Sequence, residues 1–220
     1  MTNIEKALYI LLRDTDIVST LAAILAYACP TGRISHNEVT KIAGNNPEDI
    51  LLLGNRWRLL IPTRFQKSSA WEDRLLRCMP DESYELPNVI LYLVRNASKT
   101  GDWDPVIAIE EAFKEIEEPS WQQMPELVSE FGKQARYYKI SANEIIQIST
   151  LFNLTQKIDV LIAELKATGV MSPKLGSIAE VSWAGSPLYE LNPSLFIEER
   201  EKIDRACAEA NRKNSGNAGG

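Results

Sequence analysis

The chain has 220 residues, is 45% hydrophobic and carries a formal net charge of −6. That is enough apolar material for one or two domains, and the acidic balance excludes a whole-surface nucleic-acid binder while leaving room for a local basic face. Three widely spaced cysteines (Cys29, Cys78 and Cys207) and a single histidine, His36, offer no disulfide framework, no zinc-ligand set and few partners for histidine-based catalysis.

Apolar positions at Ile4, Leu8, Leu11 and Leu12 predict a first helix. Thr15 or Asp16 caps a second, which runs to about Cys29 and is broken by Pro30-Thr31-Gly32. Its apolar run, Ile17 to Ala28, resembles a secretory leader only superficially. Asp14 and Asp16 stand where basic residues belong, and the run is too short to span a bilayer. The expected setting is therefore a reducing cytoplasm, away from any membrane.

The next segment introduces a repeat. Ile34-Ser35-His36-Asn37-Glu38-Val39 returns as Ile140-Ser141-Ala142-Asn143-Glu144-Ile145. Each copy has the form of a capping box: the Ser oxygen accepts from a backbone N–H three residues on, and the Glu reaches back to the Ser N–H. The first box opens a helix to about Ala43, ended by Gly44-Asn45-Asn46. Asn46 then caps a helix with Pro47 in its first position, Glu48-Asp49 in its first turn, and Ile50, Leu53 and Trp57 on its inner face. Leu59-Leu60-Ile61 is extended before Pro62. Phe65 to Arg77, around a polar Gln66-Lys67-Ser68-Ser69 tip, predicts a β-hairpin, with a helical second half as the alternative.

The middle of the chain predicts helices from Pro87 to about Asn96, from Asp104-Pro105 with Val106, Ile109, Ala112, Phe113 and Ile116 on one face, and from Ser120 or Pro125 to about Tyr138. The second box opens a helix to about Leu151. Thr155 caps the next helix, which Gly169 ends. Strands follow at Val170 to Leu175 and Leu188 to Leu191, with strand potential at Ile178 to Trp183. A charged helix from Phe196 to about Ala210 precedes a polar tail expected to be disordered. The expected architecture is mainly α with short β-hairpins: a first unit over 1–80, a helical acidic connector over 81–124, a second unit over 125–196, and a terminal helix and tail over 197–220.

Helix, capped helix, capped third helix, strand, loop and strand is the order of a winged helix. Thr155 to Leu161 followed by Leu165-Lys166-Ala167-Thr168-Gly169-Val170 resembles the third helix of such a domain entering its first strand. Leu188 to Pro193 resembles the returning wing strand. The chain is thus similar to tandem winged-helix proteins over roughly 16–77 and 125–193. The first copy fits less closely, since its third helix ends without a glycine. The resemblance implies a third helix in the DNA major groove and a wing on the backbone. Carried onto this chain, the nucleic-acid contacts are Arg56 and Arg58 on the first third helix, and Arg64, Lys67, Arg74 and Arg77 in its wing. In the second copy they are Thr155, Gln156 and Lys157, with Lys174 in the wing. Double-stranded DNA is the expected partner and transcription or replication regulation the expected role. The alternative is a protein-interaction subunit, because tandem winged helices also build chromosome-organising and membrane-sorting complexes.

The opposite sign crowds the middle, from Asp81 through Glu110, Glu111, Glu115, Glu117 and Glu118 to Glu126. Without histidine partners these carboxylates read as a solvated face, and no phosphate-binding glycine loop or nucleophile–base pair is visible. The expectation is a non-enzymatic protein with no cofactor and no metal site.

Overall fold

Both capping boxes close as the sequence demands, and each sets the start of one topological module. The computed structural model describes residues 1–13, 15–64, 66–175 and 185–197. Ser35 Oγ accepts from Glu38 N at 3.3 Å while Ser35 N donates to the Glu38 carboxylate at 2.9 Å; for Ser141 and Glu144 the distances are 3.2 and 2.8 Å. The Glu38 carboxyl is held down at about 2 by the Ser35 N–H, the Tyr27 hydroxyl and the Ser35 hydroxyl. Ser141→Ala is expected to cost about 0.5–2 kcal/mol, read from the urea midpoint, with the slope of the transition unchanged.

The elements run α1 (Asn3–Leu12), α2 (Thr15–Ala28), β1 (Arg33–Ser35), α3 (His36–Ala43), α4 (Pro47–Arg56), β2 (Ile61–Pro62), β3 (Ser83–Glu85), α5 (Asn88–Thr100), α6 (Pro105–Glu115), α7 (Met124–Gln134), β4 (Lys139–Ser141), α8 (Ala142–Leu151), α9 (Ile158–Ala167), β5 (Met171–Lys174) and β6 (Leu188–Leu191). The protein is mainly helical with two small antiparallel sheets, ordered β1-β3-β2 and β4-β6-β5. The two sheets match in register. Ile34 faces Tyr84 as Ile140 faces Tyr189, and Pro62 faces Tyr84 as Pro173 faces Tyr189. Each module is therefore strand, helix, helix, strand, strand, with the last strand in the centre.

Three expectations are corrected. The segment expected as a β-hairpin forms no strand among its described residues. It carries a 3₁₀ turn at Trp71–Asp73, and the Asp73 carboxylate accepts from the backbone N–H groups of Lys67 and Ser68. Those N–H groups find a side-chain acceptor locally, so no strand partner is needed to satisfy them. The strand that closes the first sheet is Ser83–Glu85, so the first module passes residue 80 and the connector begins later than 81. The helix expected to reach Tyr138 stops at Gln134, because Arg136 and Lys139 close a tight turn by mutual backbone hydrogen bonds of 2.9 and 3.0 Å. Strand potential at 178–183 and the terminal helix and tail beyond 197 lie outside the described residues.

α5 and α6 are core rather than spacer. Val89, Ile90, Leu93, Val94 and Ala97 of α5, and Ala108, Ile109, Ala112 and Phe113 of α6, are buried in one apolar cluster that includes residues of both modules. α1 packs on α2 and α5, α5 on α6, α6 on α7 and α7 on α8, so these helices form one continuous packed series. The acidic residues of α6 lie on its outer side, with Glu111 and Glu115 exposed. His36, the histidine of the first box, is buried with Nδ1 3.2 Å from the Tyr84 hydroxyl.

Candidate functional site

The residue that organises the junction between the modules is Arg58. It follows α4 with φ 53°, in the left-handed region, and Leu59 N donates to Gly54 O at 2.8 Å. In the second module Gly169 has φ 78° and Val170 N donates to Leu165 O at 3.0 Å. Both third helices thus end in one kind of left-handed cap, at equivalent positions counted back from Pro62 and Pro173. An arginine in this conformation carries a backbone cost that glycine does not.

The side chain finds its partner in the other module. Arg58 Nε and Nη2 lie 2.9 and 2.8 Å from Glu190 Oε1, with the two side chains only 14% and 15% exposed. Arg58 Nη1 reaches Asn55 O at 3.2 Å, and the guanidinium carbon sits 5.6 Å from the centre of the Trp71 ring. Glu190 stands on β6 where Glu85 stands on β3, and Glu85 takes Arg74 and Arg33. Asn192 Nδ2 then donates to Arg58 O and to Gly169 O, both at 3.3 Å, joining the two helix caps. The loop around Trp71 lies along β5: Trp71 N donates to Ser172 Oγ at 2.9 Å, Leu175 N donates to Glu72 at 2.7 Å, and Lys174 pairs with Glu72. Ser194 Oγ donates to Trp57 O.

This arrangement engages much of the basic set read from the sequence. Arg58, Arg74 and Lys174 are turned inward onto Glu190, Glu85 and Glu72, and Arg64 pairs with Asp81 at 2.9 Å and with buried Glu82 at 3.5 Å. Arg56, Lys67 and Arg77 are exposed and make no ion pair among the described residues. Thr155, Gln156 and Lys157 form a 3₁₀ turn before α9, with Gln156 and Lys157 exposed. Residues the sequence reading missed are the acceptors, Glu72 and Glu190, and the bridging Asn192. One signal was present: Tyr84-Glu85-Leu86 and Tyr189-Glu190-Leu191 are a second repeat, marking the central strand of each sheet and its carboxylate.

The outward faces of the third helices are not basic. α4 exposes Glu48, Asp49, Leu52 and Arg56, with Leu52 61% exposed. α9 exposes Asp159, Val160, Ala163, Lys166 and Ala167. Val160 is 49% exposed, and Leu151, at the end of α8, is 77% exposed.

Beside α9 lies a groove of about 200 Å³ lined by Glu118, Ser120, Lys157, Val160 and Glu164. The Glu164 carboxyl is pushed up to about 7, first by burial and then by the charge and hydrogen bond of Glu118 beside it; Lys157 pulls the other way. A carboxyl raised on folding binds its proton more tightly folded than unfolded. From its ordinary value of 4.5 to about 7 the folded state holds the extra proton, so stability falls as pH rises through that window. Glu164→Gln is expected to flatten this part of the profile and to raise the urea midpoint at pH 8 more than at pH 5. Parallel profiles for the variant and the parent would contradict it.

A family model bearing no functional description matches residues 3–201, so the chain belongs to that family. No curated protein and no solved structure matches it. No helix among the described residues is long and apolar enough to cross a membrane, and no cluster of His, Cys, Asp and Glu among them has the form of a metal site.

Proposed function

We propose that the two modules are winged-helix units and that the chain is a non-enzymatic protein-interaction subunit, docking a partner protein through the α8–α9 face of the second module. The strand order in each module, with the last strand between the other two, supports the winged-helix reading. The observation that carries the interaction reading is the fate of the basic residues. Arg58, Arg64, Arg74 and Lys174 are engaged by carboxylates of the same chain, so phosphate contact would have to break ion pairs before counterion release could drive binding. The third helix of the first module carries Glu48 and Asp49 in its first turn, the part that a recognition helix inserts against base edges in the strongly negative major groove. Leu151 and Val160, by contrast, are large apolar side chains held in solvent on helices, the kind of surface that association covers.

DNA binding, through Lys67, Arg77, Arg56, Gln156 and Lys157, is the second reading, supported by the cations that remain exposed. The test is co-purification of the tagged chain from its own cells, comparing the parent with Leu151→Glu, Val160→Glu and Lys67→Ala. Loss of one stoichiometric protein partner in the first two and its retention in the third supports docking on α8–α9. A partner profile indifferent to Leu151 and Val160 overturns it.

A further inference from the structure

The exposed apolar ridge of the second module runs into a groove that carries charge. Leu151 ends α8 in solvent, and two residues later the chain turns at Asn153, φ 58°, into the wall of the groove of about 200 Å³ beside α9. Val160 belongs to both, because it is exposed and also lines the groove. Pro119, Leu154 and Leu161 complete the apolar wall. A segment lying across Leu151 and Val160 therefore passes over the mouth of the groove.

Two carboxyls meet there from different parts of the chain. α6 is closed by Glu117 in the left-handed conformation, φ 59°, and by Glu118 N donating to Phe113 O at 3.1 Å, which sets Glu118 in the groove wall against α9. Ser120 N donates to the Glu118 carboxylate at 2.9 Å and fixes it. Glu164 comes from α9, close enough for a hydrogen bond between the two side chains. Neither carboxyl has an ion pair among the described residues, and Lys157 is the one basic side chain beside them on the described lining. Adjacent carboxyls cannot both ionise cheaply, so the pair retains a proton that a cation between them would replace. The aliphatic wall suits the stem of a long basic side chain. Of the two such side chains, arginine has the planar fork that donates to two carboxylates at once, whereas a lysine ammonium is a point charge.

We infer that the partner docking on α8–α9 inserts an arginine side chain into this groove, its guanidinium between Glu118 and Glu164 and its stem against Leu154 and Val160. This inference rests on partner docking at that face. In the test, n-butylguanidinium stands in for the arginine side chain, n-butylurea is its neutral isostere, and calcium is the competing cation. Each is titrated into the nitrogen-15-labelled full chain at fixed ionic strength, following the backbone N–H signals. Butylguanidinium is expected to saturate in the millimolar range with shifts centred on Ser120, Leu154 and Glu164, and butylurea to leave those signals in place. Because the pair gives up its proton as the cation enters, binding should tighten about tenfold from pH 6 to pH 8. Glu164→Gln, which keeps the shape of the side chain, should weaken butylguanidinium by about tenfold or more at pH 8 and remove the pH dependence. Leu151→Glu, outside the groove, should keep fragment binding while losing the protein partner; Glu118→Gln combined with Glu164→Gln should lose that same partner with Leu151 intact. No saturable shift with butylguanidinium, or equal shifts with butylurea, would overturn the arginine seat and leave docking at Leu151 standing. Calcium saturating the groove more tightly than butylguanidinium would overturn it in favour of a metal ion. Retention of the partner in Leu151→Glu would remove the docking reading and this inference with it, whether or not the fragment binds.

Discussion

Arg58→Ala is expected to lower the unfolding free energy by about 3–5 kcal/mol, the usual consequence of removing one partner from a buried ion pair. The loss has a specific anatomy. Glu190 is left with its carboxylate mostly buried, Asn55 loses its bond from Nη1, and Trp71 loses the cation over its ring. The left-handed backbone at 58 persists in the variant, because alanine is no better suited to φ 53° than arginine. The effect therefore reports the side chain. Adding Glu190→Gln to Arg58→Ala should recover part of the loss, since the stranded carboxylate is then removed. Urea unfolding of the parent, both single variants and the double variant measures the coupling. A loss in Arg58→Ala below about 1 kcal/mol would mean that the pair behaves as an exposed one.

Gly169→Ala is expected to cost about 2–5 kcal/mol, from two sources that can be separated. The left-handed backbone, φ 78°, penalises any Cβ by about 1–2 kcal/mol. The new atom would also overlap Pro87 Cβ and lie 3.2 Å from Pro87 Cα, at the start of α5, which cannot move without disturbing the Val89 N to Thr168 O bond. Overpacking of this sort adds about 1–3 kcal/mol. Gly32→Ala provides the control. Its φ is 70° but nothing lies within 4 Å of the added Cβ, so it should show the backbone part alone. Equal losses at the two positions would remove the packing argument.

What the sequence conveyed depended on whether the determining contacts are local. The two capping boxes are three-residue interactions with their own side-chain signature, and both formed at the residues read for them. The end of α9 was legible because glycine marks a left-handed cap. The end of α4 was not, because Arg58 adopts the same conformation without any residue type to announce it. The hairpin expected around residue 70 failed for a related reason. An Asp73 carboxylate caps the backbone of its own loop, and that loop docks on β5 of the other module, a contact 101 residues away in sequence. β3 was short enough to escape notice alone, although its Tyr-Glu-Leu recurs in β6.

The candidate site shows the same division. The basic residues were visible in the sequence, but the carboxylates that meet Arg58 and Lys174 come from strands and turns more than a hundred positions away. A charge pattern along a chain records where cations are and not which acid each one faces. Hence the stretch that reads as a phosphate-binding wing reaches the other module through Trp71 and Glu72, while its cations Arg64 and Arg74 pair within the first module.

The most direct test of that account is a titration of labelled random-sequence duplex DNA with the full chain at low salt, followed by fluorescence anisotropy. Non-specific binders reach dissociation constants of about 10⁻⁴–10⁻⁶ M at physiological salt and bind more tightly as salt falls. With Arg58, Arg64, Arg74 and Lys174 engaged internally, no saturable binding is expected in the micromolar range. Saturable binding with a steep salt slope, reduced when Lys67 and Arg77 are replaced by alanine, would contradict the account and restore the first module's basic stretch to DNA.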